Sequence, residues 1–339
     1  MKKFFATALI TAVLGLLSLG QASAKDVPTV RYGVYDPGFD SGFLLMAREK
    51  GFWEAQGVKV EVITFKSASQ AFPAFIAGEI DVVQANPSEA LLASAKGADI
   101  KFIGSTMPGL NYTIYSKPKF QTLADLSGAT IGVGGPAALP AVVAKAMLMA
   151  KGVDLASVTF ANSGGSPDRY RAVVNGLVDA ASSPSDYIGR AEADKVKVLA
   201  MAKDVVPDYP RYALITSSAF LHTENGEGVV GLIAGLIQGM RYAVDHPDEA
   251  NALSAATVGG LAPDDPSILA AYREFKEGGY LALNGEIPVK QMKYLADLQA
   301  KLGISSAPVN VDPLVDDSYR QQAVARVGTV KSTYYGGVE

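Results

Sequence analysis

Residues 80–89 read Ile80-Asp81-Val82-Val83-Gln84-Ala85-Asn86-Pro87-Ser88-Glu89. The apolar run through Val83 suits a short buried strand. Asn86 then supplies a capping side chain and Pro87 takes a first helical position, where its missing N–H costs nothing. A strand, a polar turn and a helix start in ten residues make the repeating unit of an α/β layer. Working outward, the unit recurs. Residues 30–34 read as a strand. Residues 41–50 read as a helix with Phe43, Leu44 and Ala47 on one face and Gly51 as its stop. Residues 58–64 alternate as a strand, 71–77 form a helix ending at Gly78, and 101–105 form another strand. A second unit follows: strands at 130–133, 158–161, 179–182 and 196–201, with helices at 139–151 and 169–175. Residues 111–117 and 211–217 are extended segments joining the two units, as a hinge crossed twice would be. From Ser218 onward the chain reads as helical, with long helices at 226–246 and 288–302 and one starting at Pro247.

The first 24 residues are of another kind. Lys2 and Lys3 precede an apolar run from Phe4 to Leu19, and Gln21-Ala22-Ser23-Ala24 closes it with a small-x-small site. A run of about 16 residues falls short of the ~20 that span a bilayer, so a secretory signal peptide cut after Ala24 is expected. The mature chain, 25–339, keeps 28 basic and 34 acidic residues, a net charge of −6. A mildly acidic protein without a basic tract is a poor nucleic-acid binder. Its length suits two domains. It has no cysteine and only two histidines, His222 and His246. That removes disulfides, thiol nucleophiles, lipid attachment at a cysteine and a His-rich metal site.

In open α/β sheets, ligands sit beyond the carboxyl ends of strands, where helix N-termini converge. Six loops occupy such positions. They nominate Tyr35, Asp36, Phe39 and Ser41; Ser67 and Ser69; Gln84, Asn86 and Ser88; Gly135 and Ala137; Ser163, Ser166 and Arg169; and Ser183, Asp186 and Tyr187. Taken singly, each loop is also ordinary turn chemistry; six facing one cleft would form a polar site suited to an anionic or strongly polar group. Lys66, Arg169 and Arg190 are the basic residues nearest these loops, and Tyr35, Phe39, Phe72, Tyr112 and Tyr187 are aromatic wall candidates. Gly132-Val133-Gly134-Gly135 lacks the spacing of a dinucleotide or phosphate-binding loop. No Gly-x-Ser-x-Gly motif or carboxylate pair stands out, so no catalytic residue, metal or cofactor is expected.

Met46-Ala47-Arg48-Glu49-Lys50-Gly51-Phe52-Trp53-Glu54-Ala55-Gln56-Gly57-Val58 resembles a signature of periplasmic substrate-binding proteins of ABC importers, in the group serving sulfonates, taurine, nitrate and thiamine pyrimidine precursors. Ala77-Gly78-Glu79-Ile80-Asp81-Val82, Leu123-Ala124-Asp125-Leu126-Ser127-Gly128, Asn175-Gly176-Leu177-Val178-Asp179-Ala180 and His246-Pro247-Asp248-Glu249-Ala250 follow in the family's order. The resemblance implies a type II periplasmic binding fold, with lobe 1 at 28–112 plus 212–339 and lobe 2 at 113–211. It implies a monomer that closes on a small organic solute and presents it to a permease with its ATPase. The expected solute is a small organic anion, a sulfonate or carboxylate with room for an aromatic ring. A secreted enzyme of the pyrimidine-precursor type, or a sensor subunit for a receptor, remains open; the related enzyme's cysteine cluster is missing here.

Overall fold

The computed structural model describes residues 26–35, 38–66, 68–332 and 334, so the expected signal segment lies outside the described residues. Ten strands form two five-stranded sheets. They are β1 Thr29–Tyr35, β2 Lys59–Phe65, β3 Val82–Ala85, β4 Lys101–Gly104, β5 Tyr112–Ser116, β6 Thr130–Val133, β7 Thr159–Asn162, β8 Ala180–Pro184, β9 Lys197–Met201 and β10 Ala213–Thr216. The first sheet runs β2-β1-β3-β10-β4 and the second β7-β6-β8-β5-β9. Both have the same plan. Four strands run parallel, and the fourth in order is reversed: β10 pairs antiparallel with β3 and β4, and β5 with β8 and β9. The parallel part is continuous, as in the β1–β2 register from Thr29 opposite Lys59 to Tyr35 opposite Phe65. Each sheet is flanked by helices, which is the two-lobed type II architecture expected of a βα alternation with two crossings.

The two extended segments differ from their expected role. Residues 111–117 and 211–217 are not linkers: they contain the reversed strands β5 and β10, each buried along its length between two neighbours. The crossings are the stretches just before them. These lie side by side, with the Arg211 N–H donating to the Pro108 carbonyl at 2.8 Å and the Tyr212 N–H to Met107 at 3.2 Å. A reversed central strand follows naturally, since a chain arriving from the other lobe enters its new sheet from the cleft end.

Three helical segments also depart from expectation. Residues 41–50 are two short helices, Ser41–Leu44 and Met46–Glu49, rather than one. Ser254 ties the first down by accepting the Gly42 N–H and donating to the Phe39 carbonyl. Gly51, at φ 65°, ends the second. The helix expected at 169–175 begins earlier and spans Ser166–Val174, because Pro167 fits its first turn. The long helix is Gly228–Asp245, and its glycines explain its composition. A Cβ on Gly235 would lie 2.3 Å from the Trp53 ring, and one on Gly239 would lie 2.6 Å from the Ala47 backbone nitrogen. The bare stripe lets segment 46–55 press onto the helix. Trp53 is 1% exposed there, meets Tyr32 edge-on at 6.2 Å and donates from Nε1 to the Leu232 carbonyl.

Candidate functional site

Between the lobes lies a cavity of about 760 Å³. Lobe 1 brings Phe39, Asp40, Lys66, Asn86 and Glu89, and the second crossing brings Arg211 and Tyr212. The other wall carries Tyr112, the 134–140 turn, the 164–169 turn, Asp186 and Tyr187. Three helix N-termini open on it. Pro87–Ala95 is capped by the Asn86 side chain, which accepts the Ser88 N–H at 2.9 Å. Leu139–Ala150 and Ser166–Val174 start at Ala138 and Gly165 without a side-chain cap, so their first turns present backbone N–H groups and a positive dipole end to the cavity.

Eight of the expected residues line this cavity: Phe39, Asn86, Gly135, Ala137, Ser166, Arg169, Asp186 and Tyr187. Others sit behind it or below it. Ser41 is fully buried in lobe 1. Gln84 accepts from the hydroxyls of Tyr32 and Thr106 inside the first sheet. Ser88 accepts from Gln299 and donates across the cleft to the Ala137 carbonyl at 3.2 Å. Ser163 donates to the Ala161 carbonyl, and Ser183 to that of Ser166. Tyr35 ends β1 and Ser69 lies in the helix Ala68–Ile76. Asp36 and Ser67 fall outside the described residues.

Several lining side chains are committed to the fold. Asn86 uses both amide N–H groups on the carbonyls of Pro210 and Arg211, each at 2.8 Å, while its oxygen caps the helix. It therefore fixes the second crossing to the helix start. Arg169 donates to the Ser182 carbonyl at 2.7 Å, the Gly164 carbonyl at 2.8 Å and the Ser166 hydroxyl at 3.0 Å, stapling the 164–166 turn to β8. Arg211 pairs with Asp40 at 2.8 Å, both side chains 5% exposed, and lies 4.4 Å from the Tyr212 ring centroid. Arg169 is committed to its own lobe, while the Nε of Arg211 is buried without a hydrogen-bond partner. Tyr187 is backed by Tyr170 in a 4.5 Å stack, with Tyr115 edge-on at 6.2 Å, so its ring is held rigidly at the cavity wall.

Glu89, Asp40, Arg211 and Tyr212 are lining residues that the loop reasoning missed. Glu89 reads from sequence as an ordinary first-turn acid, and only its burial sets it apart. Burial pushes its carboxyl up to about 7, no charged partner opposes the shift, and its Oε2 is shut from solvent without a hydrogen-bond partner. Asp40 and Arg211 are 171 positions apart, and each alone carries no signal of the other.

Among the described residues no cluster of three or more His, Cys, Asp or Glu side chains is arranged to hold a metal ion, and no helix is long and apolar enough to cross a membrane. A family profile described as NMT1/THI5 like matches residues 39–250. The chain belongs to the NMT1/THI5-like family. The match runs from the Phe39–Ser41 turn through both crossings and all of the second sheet, so it takes in nearly every cavity residue named above. A formylaminopyrimidine-binding protein from Halalkalibacterium halodurans is 26% identical over 263 residues, covering 74% of this chain and 78% of that protein. Among solved structures, the alkanesulfonate-binding protein SsuA of Xanthomonas axonopodis pv. citri superposes with a TM-score of 0.68 at 21% identity, covering 86% of this chain and 99% of its own. A ligand-binding component of an ABC-type import system from Staphylococcus aureus gives a TM-score of 0.70 at 14% identity, covering 87% and 99%. These last two establish the shared fold of this NMT1/THI5-like chain.

Proposed function

We propose that this protein is the periplasmic solute-binding component of an ABC importer. It would take up a small, flat, polar organic solute between lobe 1 (28–112 plus 212–339) and lobe 2 (113–211), and hand it unchanged to a membrane permease driven by its ATPase. The cavity between two like sheets, walled by three helix starts and a stacked tyrosine, supports capture without chemistry. The H. halodurans relative, named for binding a pyrimidine, supports the same role.

The solute is a nitrogen heterocycle of the aminopyrimidine kind in preference to a sulfonate or carboxylate. One observation carries this choice: Asp186 and Glu89 face the cavity, while Arg169 spends three donors on its own lobe and Arg211, its Nε unpartnered, is paired with Asp40. Desolvating an anion beside those two carboxyls would be costly. What remains of the anion expectation is the pair of uncapped helix starts at Ala138 and Gly165, which suit an acceptor such as a carbonyl. Tyr187 would stack on the ring.

A thermal-shift screen tests the reading. A formylaminopyrimidine, an alkanesulfonate, taurine, nitrate and benzoate are compared at equal concentration. A ligand at ~100 times its dissociation constant adds ~2.7 kcal/mol to stability. Stabilisation by the pyrimidine, with the compound recovered intact, is the expected result. Stabilisation by the sulfonate alone, or turnover of the pyrimidine, would reject it.

A further inference from the structure

Glu89 sits in the first turn of the helix Pro87–Ala95, two residues beyond its buried prolyl start, and lines the cavity. An acid in a first helical turn is ordinarily solvated and favoured by the dipole. This one is largely withdrawn from water, and its Oε2 has no partner. The Tyr209 hydroxyl is in the same condition, and the Tyr209 ring is close enough to feel the Glu89 charge. No cation is turned toward the carboxyl. Arg169 is held by Ser182, Gly164 and Ser166, Arg211 is paired through Nη2 with Asp40 although its Nε has no partner, and Lys66 is exposed at the rim. The other acids of the wall do not share this state: Asp40 is paired with Arg211, Asp186 accepts from the Asn111 amide at 3.3 Å, and Asp168 is exposed beside Arg171. A buried acceptor without a donor is costly to keep unless something supplies the donor.

We propose that Glu89 is the selecting residue of the cavity, its carboxyl accepting from an N–H donor on the solute, so that the site takes ring amines and protonated ring nitrogens and turns anions away. The inference rests on the heterocycle reading above and assigns its recognition to one side chain. Tyr209 stands behind Glu89 as a second polar group that a donor-rich ligand, or a water brought with it, would satisfy. The helix start does not disfavour this arrangement: the Ser88 N–H is met by the Asn86 side chain and not by Glu89.

The test is calorimetric titration of a formylaminopyrimidine, with an alkanesulfonate as control, into the wild-type full chain, Glu89→Gln and Glu89→Met, alongside the melting temperature of each ligand-free protein at pH 8. Loss of a hydrogen bond to a charged group is expected to weaken pyrimidine binding about tenfold or more in Glu89→Gln, and further in Glu89→Met. Both ligand-free variants are expected to melt higher than wild type, because they remove an unpaired buried carboxylate. If both variants bind the pyrimidine within about twofold of wild type, Glu89 is not the selecting residue, while the heterocycle reading stands. If wild type binds the sulfonate and not the pyrimidine, the reading and this inference fall together. If both variants melt lower than wild type, the carboxyl serves the fold and the inference is again overturned, whatever the ligand.

Discussion

A charge facing a cleft is not yet a ligand contact, and Arg169 shows why. Its three hydrogen bonds all end on its own lobe, so its guanidinium shapes the turn that forms the wall. The sequence placed Arg169, Asn86 and Ser166 in loops at strand ends, and they line the cavity, but it said nothing about whether their donors were already spent. That depends on partners from residue 164 to residue 211. Gly135 is the opposite case: it lines the cavity, and a Cβ there would meet no atom within 4 Å. Gly135→Val should therefore leave the melting temperature of the free protein nearly unchanged while weakening solute binding tenfold or more, since it fills ligand space and no protein space. An equal fall in stability and binding would show the turn, not the cavity, to be affected. Glu89 gives a pH signature. Its folded pKa, raised to about 7, lies above the usual ~4.3 of an unfolded glutamate. Its contribution is thus fully favourable below about pH 4 and is lost as pH rises through 7. At pH 8 the deficit is on the order of 3–4 kcal/mol. The stability gap between Glu89→Gln and wild type should be small near pH 4.5, widen to about pH 8 and then stay level. A gap independent of pH would mean that Glu89 is as well solvated as an unfolded glutamate.

Elements were the most legible level of this chain. The β/α alternation set strand positions within a residue or two, because buried parallel strands are short apolar runs bounded by polar turns. Pairing order and the reversed strands were not legible, since β10 starts at position 213, 109 residues beyond β4's end at position 104, beyond the reach of any local pattern. The glycine stripe of Gly228–Asp245 was visible as composition, but its purpose was not, for it is defined by Ala47 and Trp53 on another element. That contact makes a sharp prediction. In a free helix Gly→Ala stabilises by about 1 kcal/mol. Here Gly239→Ala drives a methyl into the Ala47 backbone, which cannot give way as a side-chain tip would. The overpacking should outweigh the propensity gain and lower stability by about 1–3 kcal/mol. Chemical denaturation of the variant decides between the signs. A stabilised Gly239→Ala would mean that the segment 46–55 is free to move off the helix.

At the scale of the molecule, the two sheets are joined at a narrow seam whose strength sets how the cavity opens. The crossings are bonded to one another at 107–108 and 211–212, and Asp40 and Asn86 anchor the second of them to lobe 1. That makes a defined pivot instead of a slack linker. Across the cleft the direct ties are fewer. Ser88 donates to the Ala137 carbonyl, and on the far side Glu274, in the lobe 1 helix Pro266–Glu277, lines a pocket together with Ser185 of lobe 2. Burial raises the Glu274 carboxyl, with the Ser185 and Tyr280 hydroxyls pulling the other way. Each such bond is worth only about 1 kcal/mol net once water competes for it, so the ties alone hold the lobes together weakly. A solute touching both walls adds contacts that exist only in the closed form, and it can shift the equilibrium by no more than that difference. Rotation about a pivot of a few residues then needs little backbone change. Small-angle scattering of the free protein is therefore expected to show a larger radius of gyration than the pyrimidine-bound protein. Glu274→Ala, which removes a side chain facing Ser185 across the far side, should expand the free form further while leaving the bound form close to wild type. Identical scattering profiles for free and bound wild type, with Glu274→Ala also unmoved and the ligand shown to be bound, would establish a rigid cleft and remove closure from the mechanism.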